Sequence, residues 1–153
     1  MTHSNGTYVA LELSPESRQQ VDDFITNTLK LPNPIDPDYL HTTIIYSMAP
    51  VPWARYLDRE MNACADPVRY EIFKTKTGKN CLTVIVDCPK AVDLNNMLTQ
   101  LGATSNFSPY TPHLTLSYDY TGTTEDLPSF PSELLYQGLI VNALDPDFIP
   151  PSK

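Results

Sequence analysis

Two stretches of this chain carry side chains able to move protons. His41-Thr42-Thr43-Ile44-Ile45-Tyr46 and His113-Leu114-Thr115-Leu116-Ser117-Tyr118 share His-x-Thr, an aliphatic residue, any residue, and Tyr. The chain has three histidines, and the third, His3, stands in a polar N-terminal stretch. Imidazole titrates near pH 6.5, so one neutral and one protonated ring can coexist near neutrality. Phosphodiester transesterification needs a base to deprotonate the attacking hydroxyl and an acid to protonate the leaving oxygen. Two threonine hydroxyls can donate to the non-bridging oxygens, where charge builds in the transition state. Such a site needs no metal, and two histidines without nearby Cys, Asp or Glu ligands make a poor zinc site. A lone His-x-Thr reads as structural. Two copies in matched contexts, holding both internal histidines, point to catalysis.

Positioning these groups requires strands. Residues i and i+2 of a strand share a face, so His41, Thr43 and Ile45 are expected on one side and Thr42, Ile44 and Tyr46 on the other. In the second copy His113, Thr115 and Ser117 oppose Leu114, Leu116 and Tyr118. The more apolar faces should pack inward, which makes Tyr46 and Tyr118 core aromatics and leaves His and Thr facing a cleft.

The intervening sequence supplies the supports. Tyr8 to Leu13 alternates as a strand, and Ser14-Pro15-Glu16 is a helix start: N-cap, proline at the first turn, then an acid. Val21, Phe24, Ile25 and Leu29 recur at helical spacing, predicting a helix over about 15–30 that Pro32 and Pro34 stop. A proline-braced loop, 35–40, leads into the first His strand at 41–47. Pro50 and Pro52 open a second predicted helix whose face is Trp53, Tyr56, Leu57, Met61 and Cys64, with Trp53 in the core. Strands follow at about 68–76 and 81–87, joined by a hairpin at Thr77-Gly78-Lys79-Asn80. Pro89 starts a third helix with Leu94, Met97, Leu98 and Leu101 inward and Gly102 as C-cap. A polar loop, 103–112, precedes the second His strand at 113–120, and a last strand is expected at 134–144. This order predicts one α+β domain over 1–153, with tails at 1–6 and 145–153 and two pseudo-symmetric lobes.

Composition narrows the ligand. Fifteen prolines against five glycines punctuate apolar runs instead of forming repeats. A net charge of -8 with only ten Lys+Arg suits a small phosphorylated ligand better than long duplex nucleic acid, which calls for a basic face. Met1-Thr2-His3-Ser4-Asn5-Gly6 lacks a basic n-region and an apolar h-region, and no apolar run reaches the eighteen or so residues of a membrane span, so a cytoplasmic protein with no membrane partner is expected. Cys64, Cys81 and Cys88 read as reduced thiols, and the sequons at Asn5 and Asn106 then carry no meaning.

His41-Thr42-Thr43 and Pro112-His113-Leu114-Thr115 resemble the paired His-x-Thr/Ser motifs of the 2H phosphoesterase superfamily, and the element order resembles its bilobal fold of two sheet/helix lobes flanking a central cleft. Thr7-Tyr8-Val9-Ala10-Leu11 and Leu40 to Ser47 are similar to the bacteriophage anti-CBASS nucleases. CBASS is a bacterial defence in which infection triggers synthesis of cyclic oligonucleotides that activate a killer effector. The resemblance implies a metal-independent, cofactor-free phosphodiesterase, with His41 and His113 as acid/base pair and Thr43 and Thr115 as phosphate donors. It implies cleavage of 3′–5′ linkages in cyclic di- or trinucleotides such as 3′,3′-cGAMP by attack of a ribose 2′-OH, in the cytoplasm of an infected host. Which histidine is base stays open, as do base preference and oligomeric state.

Further contacts are expected from Tyr8 (stacking, or a strand-start aromatic), Glu12 (accepting from a base, or an exposed strand acid), either Phe73 or Lys74, and Tyr110 (closing over the ligand, or an ordinary loop tyrosine). Two other readings remain: a 2H phosphodiesterase acting on linear 2′–5′ oligoadenylates, 2′,3′-cyclic phosphates or RNA ends, and a non-catalytic protein that sequesters a nucleotide.

Overall fold

Residues 6–75, 78–104, 109–131 and 133–145 are described by the computed structural model. Six strands, β1 (Thr7–Leu13), β2 (His41–Ser47), β3 (Glu60–Lys74), β4 (Asn80–Asp87), β5 (His113–Ser117) and β6 (Leu134–Ala143), form an antiparallel sheet in the order β2-β1-β6-β3-β4-β5. Helix α1 (Pro15–Asp23) links β1 to β2, and α2 (Pro89–Gln100) links β4 to β5. The order is palindromic: each half is strand, helix, His strand, with β6 and β3 meeting in the middle. The two lobes expected from the sequence are these halves.

Local chemistry explains most boundaries. Ser14 caps α1, its Oγ accepting from Ser17 N–H at 3.2 Å, with Pro15 in the first turn. A π-helical turn, Phe24–Leu29, extends the helix until Lys30 adopts a left-handed conformation at φ 53°. Gly102 ends the α2 region at φ 109°, a conformation glycine enters without a Cβ clash. Val9, Leu11 and Leu13 lie in the core with Val21 and Ile25; in the other lobe Leu82, Val84 and Leu114 pack with Leu94 and Leu98. Met97 and Leu101, expected inward, are at the exposed margin, and Asn95 takes the inward place.

The predicted second helix is replaced. Pro52–Tyr56 makes only a 3₁₀ turn, and Met61 and Cys64 belong to β3. Met61, Ala63 and Ala65 alternate with the exposed Glu60, Asn62 and Cys64, a two-residue period that fits pairing with β6. β3 changes partner where Pro67 falls: Ala65 pairs with Leu134 of β6, Asp66 with Asp87 of β4, and a bulge follows before Arg69. Proline, which cannot donate to a ladder, sits at that handover. Trp53, expected in the core, is 64% exposed.

The sheet curls so that its edges, β2 and β5, approach each other. No ladder pairs them; hydrogen bonds that cross between the halves tie them instead. Asn95 of α2 donates to Ile44 O on β2 at 2.8 Å, and the Tyr110 hydroxyl, from the loop before β5, donates to Thr43 O at 2.6 Å. In the other direction Ile35 N–H, from the loop before β2, donates to Leu116 O on β5 at 2.9 Å, and Ser117 Oγ donates to Asn33 O at 2.6 Å. Asn95→Leu keeps the volume but strips a buried carbonyl of its donor. We expect a loss of about 1–3 kcal/mol, read as a lower urea midpoint at unchanged slope; an unchanged midpoint would mean the bond contributes nothing.

Of the sequence expectations, His3, Asn5, Thr77, Asn106 and the tail beyond Asp145 lie outside the described residues. At the near edge of the N-terminal stretch, Gly6 is tightly packed: its carbonyl accepts from Leu144 N–H at 2.9 Å, and an added Cβ would collide with Ser47 O.

Candidate active site

Strand register places the motif residues. Glu12 pairs with His41 and Ala10 with Thr43, so both motif side chains share the Tyr8/Ala10/Glu12 face of β1. Ile85 pairs with His113 and Thr83 with Thr115 on the other lobe. Each His strand then carries a bulge at the same motif position. Val9 pairs with Ile45 while Ala10 pairs with Thr43, leaving Ile44 as the extra residue; Leu116 is the extra residue between Thr115 and Ser117. The two carbonyls that Asn95 and Ile35 satisfy are those of the bulged residues.

A one-residue bulge inverts everything after it. Ile45 is therefore buried, and Tyr46, expected in the core, pairs with Tyr8 on the His/Thr face, their rings meeting edge to face at 6.4 Å. Tyr118 is corrected likewise. It is half-buried, and its hydroxyl interacts with the Thr115 side chain. The Tyr8 hydroxyl meets Thr43 Oγ1 at 3.1 Å. Each motif threonine thus has a tyrosine hydroxyl beside it, from β1 in one lobe and from the end of the His strand in the other. Burial pushes the Tyr8 hydroxyl up to about 12 and raises Tyr118 as well, so both stay protonated and able to donate. A threonine oxygen that accepts from tyrosine keeps its own proton for another acceptor.

The histidines are held in matching ways. His41 Nδ1 hydrogen-bonds Tyr39 O, and His113 Nδ1 hydrogen-bonds Thr111 O at 2.9 Å. A carbonyl only accepts, so Nδ1 carries the proton in both rings and Nε2 is left for exchange. Burial lowers the pKa of both imidazoles; for His41 the backbone bond to Tyr39 opposes this, His113 lowers it further, and Glu12 raises it. For His113 the bond to Thr111 and the charge of Glu71 oppose the burial. The charge of His113 thus reaches the His41 ring across the cleft.

The other expected contacts divide. Tyr8 stands edge-on to His41 with ring centroids 6.1 Å apart. Phe73, not Lys74, faces the site: its ring lies 5.2 Å from that of His113, whereas Lys74 pairs with Asn80 on the opposite face. Glu12 faces the site, but Arg18 holds its Oε1 at 2.9 Å, so it is an ion-paired acid. Tyr110 donates its hydroxyl to Thr43 O, on the first His strand. Tyr46 and Tyr118 are additions that strand alternation alone hides. A cavity of about 470 Å³ beneath Tyr70, Leu127 and Phe130 is lined by none of the motif residues.

Residues 5–149 match the family model described as anti-CBASS protein Acb1. The chain belongs to the anti-CBASS Acb1 family. The Acb1 protein of Vibrio phage KVP40 is 36% identical over 116 residues, covering 76% of this chain and 74% of the relative. That of Enterobacteria phage T4 is 32% identical over the same shares. Among solved structures, E. coli LigT in its apo form superimposes with a TM-score of 0.59 at 18% identity, covering 99% of this chain and 94% of LigT. The TT0787 protein of Thermus thermophilus gives 0.56 at 17% identity, covering 88% and 86%. Those likenesses show that this Acb1-family chain has the 2H phosphoesterase fold, as its repeated motif implied.

Proposed function

We propose that this anti-CBASS phosphodiesterase opens cyclic di- and trinucleotides, 3′,3′-cGAMP among them, by internal transesterification and without a metal. His41 and His113 serve as the acid/base pair. One imidazole takes the proton of a ribose 2′-OH, the 2′ oxygen attacks the adjacent 3′ phosphorus, and the bond from phosphorus to the 5′ oxygen breaks. The other imidazole protonates that departing oxygen. Water then opens the 2′,3′-cyclic phosphate with the roles reversed, leaving a linear 3′-phosphate. Thr43 and Thr115 donate to the non-bridging oxygens, and Phe73 and Tyr8 offer aromatic surface to the bases. The substrate forms inside an infected cell, so the host cytoplasm is where it acts.

The observation that carries this reading is the matched pair of imidazoles, each with Nδ1 held on a carbonyl two residues upstream, beside a threonine whose hydroxyl meets a tyrosine. The test is a panel of cyclic di- and trinucleotides, linear 2′–5′ oligomers and 2′,3′-cyclic mononucleotides with EDTA present. Loss of the cyclic substrates alone supports the reading, and preference for the linear ones shifts the substrate class. Tight binding without turnover makes the protein a sponge, and a requirement for divalent metal overturns the mechanism.

Acidity should tune the reaction in a defined direction. Both imidazoles sit below the ordinary 6.5 in the free protein, so the bell of kcat/KM should peak below 6.5 as apparent values of the coupled pair. An anionic phosphate between the rings favours imidazolium, so the bell for kcat should lie at higher pH; coincident bells would refute this. The same depression makes the unfolded chain bind more protons than the native one below 6.5. Their contribution to stability is therefore present above 6.5 and lost on acidification through the lowered values.

A further inference from the structure

The short turn Pro52–Tyr56 has a surface that neither the fold nor the cleft uses. Its three-residue period places Ala54 and Leu57 inward, Ala54 buried and Leu57 against the core, and leaves Trp53 and Tyr56 64% and 66% exposed. Their rings lie 5.8 Å apart at 46°. Arg55 rests over the Tyr56 ring at 4.9 Å and donates to its hydroxyl at 2.8 Å. Arg59 folds back on the turn, donating to Leu57 O at 2.8 Å. Asp58, the nearest acid in sequence, accepts from Glu60 N–H. Among the described residues neither guanidinium pairs with a carboxylate, whereas Arg18, Arg69 and Lys79 all do.

We propose that this turn is a second nucleotide-binding surface, distinct from the cleft, which stacks a base of a cyclic oligonucleotide on Trp53 and Tyr56 and holds its phosphate on Arg55 and Arg59. It rests on the reading that the protein handles such oligonucleotides. Charge complementarity selects the occupant: two guanidiniums without carboxylate partners beside exposed rings suit a base with its phosphate. The net charge of -8 opposes a second copy of the chain more than it opposes a small phosphodiester. The turn is anchored away from the histidines, Val51 N–H donating to Thr7 Oγ1 at 2.8 Å. From Thr7 to Glu12, the partner of His41, β1 rises roughly 17 Å at about 3.4 Å per residue. Thr7 also points to the face opposite Tyr8.

Trp53 is the one tryptophan of the sequence, so the surface carries its own fluorophore. The experiment titrates 3′,3′-cGAMP into the His41→Ala/His113→Ala protein, following calorimetry and tryptophan emission together. Expected are two sites per chain and saturable quenching, with Arg55→Ala/Arg59→Ala removing the quenching and one site. Trp53→Ala should weaken that site about ten-fold or more and leave kcat of the otherwise native enzyme unchanged. One site with silent emission would overturn this inference and leave the cleft reading intact. No binding by any measure would overturn both. Emission that changes with protein concentration alone, with a dimer in sedimentation, would make the surface a self-interface and overturn the proposal.

Discussion

His41→Ala and His113→Ala will each lower kcat on a cyclic dinucleotide by about 10²–10⁴-fold with KM changed far less. Each imidazole is expected to exchange its proton only in the transition state, so its loss should fall on kcat and kcat/KM alike. Both rings lie on the cleft face of edge strands and their Nδ1 partners are backbone carbonyls, so removal leaves an acceptor that water can reach. The melting temperature should move little, which separates a chemical loss from a folding one. The double variant should be scarcely slower than either single one, because in the proposed mechanism the rings act as a unit on one phosphate. Multiplicative losses would mean two independent contributions, and near-native turnover in either single variant would place the chemistry elsewhere.

The repeated motif was legible because it rests on two local facts: few histidines, and a side-chain period of two that puts His and Thr on one side. It misled at the next step for a reason no single strand contains. A bulge is a relation between strands, and the carbonyls it frees here are satisfied from afar, by Asn95 for Ile44 and by Ile35 for Leu116. With those bonds invisible, alternation sent Tyr46 and Tyr118 into the core, although their recurrence in both copies was a signal that they share the site's symmetry. Trp53 failed differently. Trp53, Tyr56, Leu57, Met61 and Cys64 fit a helical stripe, but Met61, Ala63 and Ala65 also fit a strand, and pairing with β6 decides between them. Only the partner strand could arbitrate. Phe73 against Lys74 was likewise a question of register, and Cys81 opposite Phe73 answers it.

The crossed bonds also supply what the proposed reaction asks of two edge strands. Proton transfer at both ends of a phosphate demands a fixed spacing between imidazoles, yet β2 and β5 share no ladder. Tyr110 and Asn95 reach from the second half onto the first His strand, and Asn33 and Ile35 receive or grip the second. Each half thus holds the other's histidine strand.

A cyclic dinucleotide lacking the 2′-OH beside the scissile phosphate will bind and remain intact. The oxygen that attacks phosphorus is then absent from the substrate, and no residue placed here replaces it: Thr43 and Thr115 meet tyrosine hydroxyls and are assigned to the non-bridging oxygens. Binding should survive because the phosphate, the bases and the aromatic surfaces of Tyr8 and Phe73 are unchanged, so the analogue should inhibit cleavage of the native ring with an inhibition constant near the substrate's KM. A mixed ring with one ribose and one deoxyribose sharpens the test. It should open only at the linkage whose 2′-OH remains, and its first product should carry a 2′,3′-cyclic phosphate at that ribose, detectable by mass as lacking one water relative to the final linear 3′-phosphate. Cleavage at the deoxy linkage, or a first product already hydrated from ¹⁸O-labelled water, would replace internal attack with direct hydrolysis, and the base would then have to act on water.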